Sequence, residues 1–272
     1  MKTPNSSTSA TNDEISEEFN KLINRIDKYE DALLSKQQNK PNIMRYLASA
    51  AASVVLLLGV YFYISTAETT LIVANGETQE LILPDGSSVI LNGGSQFTYK
   101  RWFSNNREVT LKGEAFFDVV KNEGKTFTVQ TEQFKVVVLG TSFNIKAYEG
   151  IAEQVSLKSG KVRVELENNQ STFQLSPGER LVFNNNQANV VEYDKAQTAL
   201  WRDGIIEFNN ATPTEVIQII QREFNVQLNA DANLNASLFT AKFKKTDVND
   251  LIKVWTKTCD LKYNPADMRI TK

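Results

Sequence analysis

The chain has 272 residues, with 30 basic and 32 acidic side chains, a formal net charge of −2, one cysteine and no histidine. A nearly balanced charge offers no electrostatic surface for nucleic acid. Without histidine there are no His-based triads, no ordinary His zinc sites and no simple general base near neutral pH. Cys259 cannot form an intramolecular disulfide, and its place in an apolar helical pattern points to a buried, inert thiol.

Residues 1–12 are polar and poor in apolar side chains, which predicts disorder. From Asp13 to about Lys36 the pattern is helical. Ile15, Phe19, Leu22, Ile26, Tyr29 and Leu33 alternate spacings of four and three, a narrow stripe that seats against another helix. A single helix cannot bury its own stripe, so a partner helix or a second copy must cover it. The mixed charge of the polar face argues against a membrane surface, where such helices are basic. Lys40, Pro41 and Asn42 are expected to break the helix.

Tyr46 to Ala67 carries no charge between Arg45 and Glu68. As a helix it would rise roughly 33 Å, enough to cross a hydrocarbon core of about 30 Å, and Tyr61, Phe62 and Tyr63 cluster where aromatic rings favour the headgroups. It reads as one transmembrane helix. Lys36, Lys40 and Arg45 precede it closely, whereas Lys100 is the first basic residue after it, so the N-terminus is expected in the cytoplasm and the C-terminus in the periplasm.

From Leu71 to about Tyr193 the period becomes two. About a dozen short strands, among them Val109–Leu111 and Ala115–Val120, predict an all-β sandwich, barrel or roll. Pro84-Asp85-Gly86 forms a tight turn between two of them. Beyond Trp201 the texture is mixed. Strands are expected at Ile205–Phe208, Val226–Leu228, Leu238–Phe243, Leu261–Tyr263 and Met268–Ile270, with helices from Pro213 to Phe224, capped by Thr212, and from Asp247 to Cys259. This β-α-β, β-α-β order predicts a small α+β domain. The expected organisation is therefore a cytoplasmic segment (1–42), a transmembrane helix (43–67), an all-β domain (68–197) and an α+β domain (200–272).

Seven ordered blocks carry a resemblance. They are residues 83–92 (LPDGSSVILN), 95–99 (SQFTY), 107–119 (REVTLKGEAFFDV), 127–131 (FTVQT), 136–148 (VVVLGTSFNIKAY), 155–164 (VSLKSGKVRV) and 175–179 (LSPGE). Together they resemble the FecR family of membrane-anchored sigma-factor regulators. The tail, with Trp201, Gly204 and Phe208, is similar to the signalling domain that accompanies such modules in Bacteroidetes-type bacteria. The resemblance implies an inner-membrane anti-sigma factor that holds an extracytoplasmic-function sigma factor through its cytoplasmic helix. It implies a periplasmic partner, the signalling domain of an outer-membrane TonB-dependent transducer, and release through membrane proteases. Family members commonly carry a longer cytoplasmic region than the single stripe here. An anchored periplasmic binding or adaptor module is the alternative reading.

Neither a cofactor nor a metal site is expected. Glu114 and Asp118 lie about 13 Å apart along one strand, too far for a glycosidase pair. Asp85 reads as a turn residue. Gly140-Thr141 is the one chemical candidate. Some FecR-type proteins cleave themselves at such a pair, the Thr hydroxyl attacking the preceding carbonyl, and the competing reading is a glycine in a tight turn.

Overall fold

The computed structural model describes residues 12–38, 43–101, 103, 107–167, 171–184, 187–231, 234 and 236–272. The expected disorder of residues 1–11 and the helix break at Lys40-Pro41-Asn42 lie outside them. Asn12, grouped above with the disordered tail, is the first residue of a helix.

The chain divides into two compact units, Met1–Tyr61 and Phe62–Lys272. The first holds helix α1 (Asn12–Gln38) and most of α2 (Ile43–Thr66). Asp13 and Glu14 in its first turn and Lys36 in its last place charge favourably along the α1 dipole. Within α2, Ile43–Tyr63 has a mean hydropathy of 1.9 and is 0 % buried by protein, the one helix among the described residues long and apolar enough to cross a membrane. Val54 to Leu58 are each more than half exposed, apolar surface that only lipid or another protein could cover.

The second unit opens with thirteen strands, β1 (Glu68–Ile72), β2 (Gln79–Ile82), β3 (Ser88–Leu91), β4 (Gln96–Lys100), β5 (Arg107–Asp118), β6 (Phe127–Gln130), β7 (Phe134–Val138), β8 (Ser142–Ala147), β9 (Glu153–Ser159), β10 (Val162–Leu166), β11 (Thr172–Leu175), β12 (Glu179–Asn184) and β13 (Gln187–Glu192). The twelve-residue β5 is the organiser. Its first half pairs with β4 and, in parallel, with β6, and its second half pairs with β3 and β8. Sheet β1-β4-β5-β6-β7-β10-β11 and sheet β2-β3-β5-β8-β9-β12-β13 therefore share this strand. The sequence splits it into two strands, but the chain runs through because Gly113, at φ +108°, turns the corner from one sheet to the other.

Alternating apolar residues from both sheets fill the core, where Phe97, Leu111, Phe117, Phe127, Phe134, Phe143 and Ile145 are all fully buried. Phe117 stacks on Phe143 with ring centroids 5.0 Å apart. Phe116 points the other way, and the Arg202 guanidinium covers it at 4.1 Å. The Pro84-Asp85-Gly86 turn forms as expected, with the Gly86 amide donating to the Leu83 carbonyl and Gly86 at φ +83°.

Two short 3-10 turns, Lys195–Gln197 and Leu200–Asp203, lead into β14 (Ile205–Ala211), α3 (Pro213–Phe224), β15 (Asn229–Ala230), β16 (Phe239–Lys244), α4 (Val248–Thr258), β17 (Lys262–Asn264) and β18 (Arg269–Thr271). Thr212 and Glu215 form a reciprocal capping box at the start of α3, with Pro213 in the first turn. The expected strand at Val226–Leu228 is not one. Leu228 is buried as part of a connecting segment, and pairing begins at Asn229, parallel to β18. Because β14 pairs with β16 while β15 pairs with β18, the two β-α units interlock around Trp255, Ile220, Ile252 and Phe208.

Candidate functional site

On α1 the six stripe residues fall within an arc of about 80° at about 100° per residue. All are open, from 46 % exposed at Ile26 to 73 % at Tyr29. Ile23 and Leu34, exposed and on the flank of the same arc, widen it into an a/d/e face. Strict three-four counting missed both because each sits next to a stripe residue. Covering such a face would contribute roughly 1.5–3 kcal/mol per fully buried side chain before the costs of association. Apart from the Tyr29 hydroxyl the face is apolar, which suits it to bind a partner.

Gly140 lies in the bend between β7 and β8. A Cβ there would meet Lys121 Cα at 2.5 Å, so close approach of the backbone, rather than a positive φ, demands glycine. Thr141 is buried, and its hydroxyl donates to the Lys161 carbonyl at 3.0 Å. The other carboxylates are committed separately. Glu114 accepts from the side-chain amides of Asn92 and Asn144, both at 3.0 Å, and Asp118 accepts from the Ser142 hydroxyl at 2.7 Å. Asp85 accepts from Ser87 and from Arg107, which ties its turn to β5. The Cys259 thiol is buried, donates to the Ser237 carbonyl, and is pushed up by burial.

What the sequence did not show is a polar seam between the β-sandwich and the C-terminal domain. The Gly76 amide donates to the Arg222 carbonyl at 2.7 Å, the Asn92 amide bridges to Glu223 Oε1 at 3.1 Å, and the Trp201 indole donates to Asn144 Oδ1 at 3.1 Å. The Arg222 guanidinium stacks 3.7 Å above the Tyr148 ring. Partners as far apart in sequence as Asn92 and Glu223 leave no local pattern to read.

Within the sandwich, burial pushes the Glu153 carboxyl up to about 7, against the lowering hydrogen bond from Thr131 and with a further rise from Glu132. A raised acid favours the protonated native form. The stability it contributes is present below about 4.5, the ordinary value, and is lost as pH rises through about 7. Glu153→Gln is expected to remove that dependence and to stabilise the protein at pH 8 by about 1–3 kcal/mol, read by urea unfolding at pH 5 and pH 8.

A helix long and apolar enough to cross a membrane, an amphipathic helix with an uncovered apolar face and a two-sheet β-domain joined to a small α+β domain together give a layout consistent with a single-pass membrane regulator. The FecR protein family profile matches residues 69–163. Two crystal structures from Parabacteroides distasonis ATCC 8503, each described as that of an anti-sigma factor candidate, are similar to this chain. One shares 32 % identity at a TM-score of 0.70, covering 75 % of this chain and 97 % of that one. The other shares 31 % identity at a TM-score of 0.71, covering 75 % and 98 %. No curated protein matches the chain. The chain belongs to the FecR family.

Proposed function

We propose that this protein is a single-pass anti-sigma factor of the inner membrane, holding an extracytoplasmic-function sigma factor on α1 and receiving a signal through its β and α+β domains. The observation that carries the reading is the uncovered face of Ile15, Phe19, Leu22, Ile26, Tyr29 and Leu33, in a chain that belongs to the FecR family. Lys36, Lys40 and Arg45 before the span, with no basic residue after it until Lys100, support a cytoplasmic N-terminus. The periplasmic input in this reading is the signalling domain of an outer-membrane TonB-dependent transducer, and membrane proteases release the sigma factor by cutting the tether. In the full-length protein purified in detergent, a sigma factor from the same cell should copurify. Phe19→Asp with Leu22→Asp should reduce the captured amount at least tenfold, because each burial lost costs about 1.5–3 kcal/mol. Wild-type protein that retains no sigma factor would sink the reading.

Self-cleavage at Gly140-Thr141 belongs to the same proposal. The Thr141 hydroxyl oxygen would bond to the Gly140 carbonyl carbon, the Gly140–Thr141 C–N bond would break with the proton passing to the freed amine, and water would hydrolyse the ester. Burial of Thr141 keeps the hydroxyl in one place, and its bond to the Lys161 carbonyl must open first. Two fragments on a denaturing gel, absent in Thr141→Ala, are the expected result. A single full-length band from cells would contradict it.

A further inference from the structure

A cavity of about 70 Å³ lies in the seam, walled by Glu114, Lys146, Arg180 and Trp201 and by Arg222 and Glu223 from α3. One water needs about 10–15 Å³ on this measure, so the space would hold roughly five waters or one small polyatomic ion. Its charged walls are unequally satisfied. Glu114 accepts from two side-chain amides. Glu223 accepts from Asn92 and faces the Lys245 ammonium at 3.5 Å. Glu207, also in the wall, faces Arg180 at 3.7 Å and Lys242 at 3.4 Å.

Two of the cations, Lys146 and Arg222, are left with unused donors. Lys146 enters none of the ion pairs among the described residues, and burial lowers the pKa of its ammonium group, partly offset by the charge of Glu114. Arg222 is only 8 % exposed, and its Nε has no hydrogen-bond partner, with Glu223 Oε1 too distant for one at 3.7 Å. Buried donors without acceptors are costly, and an anion carrying several acceptor oxygens removes that cost.

We propose that this cavity binds a small oxyanion, such as a phosphate, sulfate or carboxylate group, held by Lys146 from β8 and Arg222 from α3. Its occupancy would then tie the β-sandwich to the C-terminal domain through the ligand.

Thermal unfolding of the full-length protein in detergent tests this, with inorganic phosphate and with acetate titrated against choline chloride at equal ionic strength. The expected result is a saturable rise in Tm above the chloride control with at least one of the two anions, and the anion that acts reports which oxyanion geometry fits. Lys146→Met should abolish the saturable part, and Lys146→Gln, which keeps a donor without the charge, should weaken half-saturation at least tenfold. No saturable rise in the wild-type protein would overturn the proposal whether or not the variants fold. So would a saturable rise that persists unchanged in Lys146→Met, which would place the anion elsewhere.

Discussion

Arg107→Met is expected to destabilise the β-domain by about 3–5 kcal/mol, the range for removing one partner of a buried ion pair. Arg107 is 3 % exposed and donates to Asp85 Oδ2 at 2.9 Å and to the carbonyls of Val120, Lys125 and Leu139 at 2.9, 2.6 and 3.3 Å. Its guanidinium also lies 5.6 Å from the Phe127 ring centre. Methionine would keep much of the packing volume but leave a carboxylate and three carbonyl oxygens without this donor. Each neutral acceptor stranded in this way costs about 1–3 kcal/mol before relaxation or water entry. The carbonyls belong to segments that follow β5 and β7, so the loss should loosen the neighbourhood of Gly140 as well. Urea unfolding monitored by tryptophan fluorescence reads the effect, and a loss under about 1 kcal/mol would mean that water replaces the guanidinium at little cost.

Gly113→Ala is the second large effect, about 3 kcal/mol or more. Backbone at φ +108° is strained for any residue with a Cβ, by about 1–3 kcal/mol. The new methyl would also sit 2.5 Å from Ser95 Oγ and 2.7 Å from Ser95 Cα. Ser95 has no room to yield, since its hydroxyl accepts from the Glu114 amide at 2.9 Å and donates to the Glu114 carbonyl at 3.1 Å. Relief would require β4 to move away from the corner of β5, breaking the strand that both sheets share. A fall in Tm of at least several degrees is expected, and an unchanged Tm would show that the corner tolerates a side chain.

These two residues mark the limit of what the sequence could show. Local chemistry was legible: Thr212-Pro213-Glu215 opens α3, Pro84-Asp85-Gly86 turns a hairpin, and the period-two pattern locates most strands. Long-range geometry was not. Gly113 reads as a break between two strands unless the two sheets it joins are known. Nothing in its spacing pairs Arg107 with Asp85, 22 residues earlier. The Val226–Leu228 strand failed for a related reason, because its apolar residues resemble a strand while the parallel partner that decides pairing lies in β18 near the chain's end. Of the candidate binding face, the six stripe residues were legible because helical spacing is local. Ile23 and Leu34 are equally local, but they flank the arc and each adjoins a stripe residue, so strict three-four counting passes over them.

The proposal that α1 holds the sigma factor is tested most directly by photo-crosslinking in cells. A photoreactive residue placed at Phe19, Leu22 or Ile26 in the full-length protein should crosslink to a sigma factor, while the same group at Asn24 or Lys28, on the opposite side of the helix at about 100° per residue, should not. Equal crosslinking from both faces, or none from the stripe, would contradict the account.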